Sequence, residues 1–465
     1  MPLVPTRIIR WAPLTVTAGV TLLLLLWLSP RFFDASPAFV RGGILVALTI
    51  LAWAFGFFAE SITALLFFLL AAVFEVAKPS VIFSGFESPA WWLLLGGAIT
   101  TIAVERTGLA RRLTAFLLLR LAASYRLSLT AVALAALGLA FVMPSSTARV
   151  MLLIPIVLAL ADRLGLSAGR PGRAGLVMTA VAVSTLPAAA ILTSVVSNLV
   201  LLGAADTLYG IKISYGSYLL LHFPILGGLK TLLLIEISYR LFPEPRRLNP
   251  VPAQPAAPMS RDERIVAVVL TISLVLFITD RVHGISPAWV SLAAGIVCLL
   301  PWIGLLATKS LSEVNFGMLV YVAAILGLGA VVADTGLGAA LGGELLSLSG
   351  ITPGHDVINL VVTTAIFMLV ALVTTVIGLP VVLAPLAGDF ATASGLPVLT
   401  VLMLQVVVIS AMFFPYQNFL IVIGMQYGGV KVKGGVKFCL TQAAVTVLVL
   451  FPLNYAWWSL LGYLP

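Results

Sequence analysis

Apolar runs follow one another along almost the whole chain. They lie at about 12–29, 42–58, 61–77, 90–105, 127–161, 174–205, 216–241, 265–280, 287–306, 315–333, 357–390, 397–428 and 436–462. A helix needs about 20 apolar residues to cross a bilayer. The pattern predicts an all-α polytopic membrane protein. Of the 465 residues, 61% are hydrophobic and only 9% are charged, whereas a soluble domain carries about 25% charged residues. This balance excludes the soluble, disordered, fibrous and disulfide-rich secreted classes. The 39 glycines and 27 prolines suit helices that break or pack closely.

The net charge of +9 reads as membrane orientation and not as nucleic-acid binding, because the Lys and Arg residues flank the apolar runs. With a cytoplasmic N-terminus, and with 127–161 and 357–390 each entering and returning on one side, 19 basic residues fall on the cytoplasmic face and 5 on the outer face. Arg149 and Lys230 lie inside apolar segments. This split supports about 11 transmembrane helices plus two re-entrant hairpins, although two complete short crossings would give the same sidedness. The run at 12–29 follows a basic flank and has no A-x-A-like site after it, so it reads as a retained first helix. The compact loops suggest a cell inner (plasma) membrane. Residues 243–264 are polar and proline-rich and read as a cytoplasmic linker. Cys298 and Cys439 fall in apolar stretches and form neither a metal spacing nor a disulfide framework.

The two halves resemble each other. Residues 91–113 (WWLLLGGAITTIAVERTGLARRL) align with 319–341 (LVYVAAILGLGAVVADTGLGAAL). SSTARVMLLIP at 145–155 pairs with TVIGLPVVLAP at 375–385, and SNLVLLG at 197–203 pairs with QNFLIVIG at 417–424. The sidedness places the two TGL segments on opposite faces, which makes this an inverted repeat, a plan shared by many secondary transporters. Corresponding apolar segments in the two halves are broken: hairpin 127–161 with 357–390, and broken helix 174–205 with 397–428.

Paired breaks are the best sequence pointer to a transport site. Pro144, Ser145, Ser146 and Thr147 open the helix ARVMLLIPI. A helix N-terminus offers free N–H groups to an anion. The hydroxyls and turn carbonyls equally suit a hard cation such as Na⁺, and a plain capped helix start remains open too. Ser194, Ser197 and Asn198 interrupt the next run, and Tyr416, Gln417 and Asn418 after Pro415 interrupt its counterpart. Such polar groups either join helices or line a site. Thr374 and Thr375 mark the second hairpin tip, where Val376 and Ile377 leave fewer side-chain ligands. Arg149, one turn into its helix, either pairs with an anion or snorkels. His222, His283 and His355 are scattered. No H-E-x-x-H, nucleophile elbow, Walker A or dinucleotide fingerprint is present, which argues against an enzyme and against a pump with its own ATPase.

From about Phe58 onward the chain resembles the divalent-anion:sodium symporter (solute carrier 13) family of the ion-transporter superfamily. The likeness rests on FSGFESPAWWLLLGGAI with ERTGL, on PSSTARVMLLIPI, on the serine–asparagine break, and on FFPYQNFLIVIGMQYGGVKVKGG, which is similar to the family's sulfate-transporter-like branch. The resemblance implies a homodimer of protomers that each carry a scaffold and an elevator-type transport domain. It divides this chain into N-terminal scaffold helices 1–89, a first repeat 90–242, the linker 243–264 and a second half 265–465. It places a small anion, dicarboxylate or sulfate-like, on Ser145, Ser146, Thr147, Ser194, Ser197, Asn198, Thr375, Tyr416, Gln417 and Asn418. It places Na⁺ near Ser145, Ser146, Ser194, Thr374 and Thr375. Here Ser146 stands where the family has asparagine, and Thr375–Val376–Ile377 lacks both the asparagine and the third hydroxyl. These departures leave H⁺ open as the coupling ion, as in a proton-coupled anion or metalloid-oxyanion permease.

Overall fold

A computed structural model describes residues 36–55, 57–121, 124–244, 258–347, 349–374 and 376–464. The run at 12–29, the middle of the linker and Thr375 lie outside the described residues. Among the described residues every regular element is helical. Leaving out one-turn helices, in chain order the main ones are α1 (Pro37–Phe55), α2 (Glu60–Val73), α3 (Pro89–Thr107), α4 (Leu109–Leu121), α5 (Tyr125–Val142), α6 (Ser146–Arg163), α7 (Pro171–Thr185), α8 (Val196–Tyr209) and α9 (Tyr215–Leu241). After the linker come α10 (Arg261–Ile278), α11 (Pro287–Leu299), α12 (Phe316–Asp334), α13 (Leu337–Ser347), α14 (Asp356–Val373), α15 (Gly378–Leu383), α16 (Ala387–Ser394), α17 (Val398–Ser410), α18 (Phe419–Gly428) and α19 (Val432–Leu460).

The helix starts follow from local chemistry. Ser88–Pro89 and Ser286–Pro287 open α3 and α11. In each, the serine oxygen accepts the N–H two residues on, at 3.3 Å, and proline at the first position needs no N–H. Ser260 and Glu263 form a reciprocal capping box at the start of α10. Both TGL glycines have left-handed backbone, Gly108 with φ 80° and Gly336 with φ 78°. Such a residue ends a helix without the clash a Cβ would bring, and α4 leaves α3 at 64°.

Five described spans are long and apolar enough to cross a bilayer: Tyr125–Val142, Pro171–Ala190, Tyr215–Leu241, Phe316–Asp334 and Val432–Leu460. Two bent pairs, α3 with α4 and α16 with α17, bring the number to as many as seven, and six shorter apolar helices accompany them. The exposed faces of α2 and α10 carry Leu65, Leu69, Val268, Ile272 and Val275, as lipid contact requires. The chain is therefore an integral membrane protein built of helices.

Small residues set the closest approaches. A Cβ on Gly96 would sit 2.4 Å from the Ser291 backbone, so α3 and α11 touch main chain to main chain. Both α9 and α19 contain a π-helical turn, at Phe223–Leu229 and Thr446–Leu450, each beside a Phe–Pro pair. Proline cannot donate to the turn before it, and a widened turn absorbs the defect. The centre of the molecule is formed by two interrupted helices, α7 with α8 and α17 with α18. Residues 174–195 and 400–412 are all buried. These helices lie side by side, the first half of each against the second half of the other. Gly424 of α18 meets Val181 of α7, and α8 packs on α17.

Candidate functional site

The first interruption runs from Leu186 to Val195, with a 3₁₀ turn at Pro187–Ala190. Proline ends the α-helical ladder, so the carbonyls of this loop need other donors. Side chains supply them. The Asn198 amide donates to Ala189 O at 2.9 Å and Ile191 O at 3.0 Å. The Ser194 hydroxyl donates to Ala188 O. The Tyr218 hydroxyl from α9 also reaches Ala189 O, at 2.7 Å. The tip between α5 and α6 comes to the same place. Ser145 caps α6 by accepting the Ala148 N–H at 3.2 Å, and Thr147 is exposed.

Arg149 joins the two. Its side chain is fully buried. Nη1 donates to Met143 O in the tip and to Ser194 O in the break, the latter at 3.0 Å. Nη2 donates to Ser184 O at 2.7 Å and to the Ser146 hydroxyl at 3.1 Å. Arg149 thus does not snorkel, and among the described residues it pairs with no carboxylate. At the same break, Arg149 Nε, the Ser184 and Ser197 hydroxyls and Asn198 Oδ1 are buried without a hydrogen-bond partner among the described residues. Three of these four groups are donors.

The second interruption runs from Ala411 to Asn418. The Gln417 side chain turns back on its own loop. Oε1 accepts the N–H groups of Phe413 (2.7 Å) and Phe414 (2.8 Å), and Nε2 donates to Ala371 O (2.7 Å) near the end of α14. The Tyr416 hydroxyl donates to Leu372 O at 2.6 Å, and its exposed ring stacks on Phe414. Asn418 caps α18 through the Leu420 N–H at 3.0 Å. Thr374 returns its hydroxyl to Val370 O at 2.9 Å. Gln442 donates to Met412 O. Lys230 of α9 is buried, and its ammonium donates to Ser410 O and to the Thr446 hydroxyl, the latter at 3.1 Å.

The structure therefore gathers Ser145, Ser146, Ser194, Ser197 and Asn198 at one break, and Thr374, Tyr416, Gln417 and Asn418 at the other. Sequence reasoning did not single out Ser184, Lys230 as a partner of a break, or Tyr209. The Tyr209 hydroxyl, at the end of α8, reaches Ala384 O (2.7 Å) and Pro385 O (3.1 Å) and accepts the Gly388 N–H (3.1 Å) in the turn between α15 and α16. Pro385 marks that division in the sequence, since a proline interrupts the ladder, but nothing in the sequence points to Tyr209 as its partner. A small cavity beside Pro144 is lined by Gly97, Thr100, Thr193, Ser273 and Ser291 and connects the first break to α3, α10 and α11.

The sequence profile of the family described as "Sodium:sulfate symporter transmembrane region" matches residues 9–464. A protein of Cupriavidus necator described as "Membrane protein" is 23% identical over 300 residues, 62% of this chain and 58% of that one, so the match spans less than two thirds of the relative's length. Among solved structures, the YdaH transporter of Alcanivorax borkumensis superposes with a TM-score of 0.56 at 18% identity, over 83% of this chain and 88% of the other. At that identity the likeness is one of fold.

Proposed function

The chain belongs to the sodium:sulfate symporter family, a family of transporters and not of enzymes, and from that premise we propose that it is a secondary active transporter that carries a small divalent anion, sulfate-like or dicarboxylate, by alternating access. The observation that carries the reading is the cluster at the first break: a buried guanidinium with an unused N–H, beside two buried hydroxyls with no protein partner. Donors desolvated in this way are costly unless a ligand accepts from them. The N-termini of α6 and α8 add their free N–H ends beside them.

Correspondences between the halves support an inverted repeat. Trp91 donates to Leu319 O, its own counterpart 228 residues on, and the same offset relates Gly108 to Gly336 and Phe223–Pro224 to Phe451–Pro452. In this reading α5–α6 and α14–α16 are the two re-entrant hairpins. Together with the interrupted helices they form an elevator-type transport domain moving against a scaffold. The protomer works in a homodimer in the inner (plasma) membrane, with its N-terminus cytoplasmic. Sodium coupling is what the family name implies for its members.

The test is uptake of labelled sulfate and labelled succinate into proteoliposomes of the full chain. Ser197→Ala and Thr147→Ala should each lower the rate of whichever anion moves. If neither anion is taken up and neither binds, the reading fails.

A further inference from the structure

Residues 125–241 carry the first hairpin tip, the first break and α9. The last of these is bonded to both breaks: Tyr218 donates to Ala189 O and Lys230 to Ser410 O. Against them stands a second group, α3, α10 and α11, whose members pack on one another. Over most of its length the seam between the groups is smooth. Pro144 of the tip nests on Gly97 of α3, where a Cβ would stand 2.6 Å from the proline ring. The small cavity lies beside this contact, and hydroxyls on its wall are turned to their own group: Thr100 donates to Gly97 O, Ser273 to Val269 O and Ser291 to Leu93 O. Surfaces that meet in this way part without stranding a buried polar partner.

One end of the seam is different. Asp280, in the turn between α10 and α11, is 6% exposed. Its Oδ1 accepts the Ser214 hydroxyl at 2.8 Å and its Oδ2 the Tyr215 N–H at 2.6 Å. The carboxylate thus closes the N-terminus of α9 from across the seam, where the helix dipole favours a negative charge. The Tyr215 ring stacks on Phe277 at 5.2 Å, and Gly216 lies against Ile278 O, which a Cβ would approach to 2.8 Å. Among the described residues, these two hydrogen bonds are the only ones that join residues 125–241 to α3, α10, α11 or the turn between α10 and α11, and Asp280 forms no ion pair.

We propose that Asp280 is a carboxylate latch: it holds α9, and with it both helix breaks, against α10 and α11, and it releases in each transport cycle. The inference rests on the transporter reading above and names the contact that has to open. The polar cost of parting the two groups is concentrated at this one carboxylate. Its neighbour Val282 is 86% exposed, so the turn borders the surroundings of the protein, and water can replace the lost partners once the turn lifts. A tie at this place sets the populations of the closed and open conformations without touching the anion.

Two measurements on the full chain test this. In the first, Ser214→Cys and Asp280→Cys are combined and joined by a short bifunctional methanethiosulfonate in proteoliposomes, with complete cross-linking verified by mass spectrometry. Uptake of labelled sulfate or succinate, whichever moves, should fall at least about tenfold on cross-linking and return on reduction, with neither single variant responding to the reagent. Uptake that survives complete cross-linking makes the contact a fixed brace and overturns the proposal. The second measurement needs no substrate. Ser273→Cys puts a thiol on the cavity wall, at a position 8% exposed, and its labelling by a maleimide is timed with and without Asp280→Asn. The amide keeps the shape and removes the charge. Labelling should quicken at least about tenfold, the effect of losing one charge-assisted hydrogen bond on an opening equilibrium, while buried Cys439 in α19 stays unreactive. An unchanged rate, or a rise shared by Cys439, overturns the proposal. If neither anion moves in the parent chain, the reading under Proposed function falls, and the labelling alone decides whether Asp280 holds the seam shut.

Discussion

Gln417→Ala separates a bracing amide from a ligand-binding one. The Gln417 side chain is 6% exposed and makes three hydrogen bonds, two accepted from the N–H groups of Phe413 and Phe414 and one donated to Ala371 O. Truncation at Cβ leaves two loop N–H groups and one carbonyl without these partners. Hydrogen bonds between membrane helices average about 0.6 kcal/mol and reach about 1.7, and orphaning a buried group costs about 1–3 kcal/mol. Three such losses, partly relieved by water entering the loop, come to about 2–4 kcal/mol. For a chain of this size that is a fall in Tm of about 2–4 °C. The assay is fluorescence-detected melting of detergent-solubilised protein, run beside uptake by the same preparations. The variant should melt early and lose maximal uptake in proportion to the folded fraction, with KM close to wild type. An unchanged Tm with a raised KM would refute the reasoning and make the amide a substrate ligand.

Other perturbations have equally definite outcomes. Gly96→Val drives a branched side chain into the Ser291 backbone, where even a Cβ would stand at 2.4 Å, so overpacking should cost at least about 1–3 kcal/mol, read as a lower yield of monodisperse protein. Tyr209→Phe removes a hydroxyl that serves Ala384 O, Pro385 O and the Gly388 N–H; amide hydrogen exchange should rise at 384–388 and stay unchanged in α6. Arg112 and the Ser260 N–H hold the Glu263 carboxyl below the usual carboxylate range. A depressed carboxylate stabilises the fold above its unfolded pKa, and that stabilisation is lost as pH falls through the folded value. Wild type should therefore lose Tm on acidification more steeply than Glu263→Gln, as melts between pH 3 and 6 (about one and a half units either side of the free carboxylate pKa) would register; parallel curves would refute the pairing.

Much of this protein is legible in the chain because hydropathy and backbone breaks are local properties. Apolar runs of helical length require membrane-spanning helices, since lipid offers the backbone no other partner. Pro144 and Pro415 interrupt those helices where the sequence places them, the first interrupted helix breaks already at Leu186–Pro187, ahead of the Ser194–Asn198 run the sequence pointed to, and Gly108 and Gly336 end theirs in left-handed backbone. The polar residues of both breaks stand out for the same reason. What each polar group does there is not local. Arg149 could have reached an anion or the headgroups, and only the fold brings Ser184 O and Ser194 O, 35 and 45 residues away, to its guanidinium. Lys230 lies 180 residues from the carbonyl it binds. Gln417, which as a sequence feature suits a ligand, points back to its own loop because the break frees two N–H groups, of Phe413 and Phe414, that its Oε1 accepts at 2.7 and 2.8 Å. The composition of the chain thus determined that helices would cross a membrane and where they would break. Tertiary packing decided which donor answers each freed carbonyl, because in a water-free interior that choice depends on whichever side chain the neighbouring helices bring within about 3 Å.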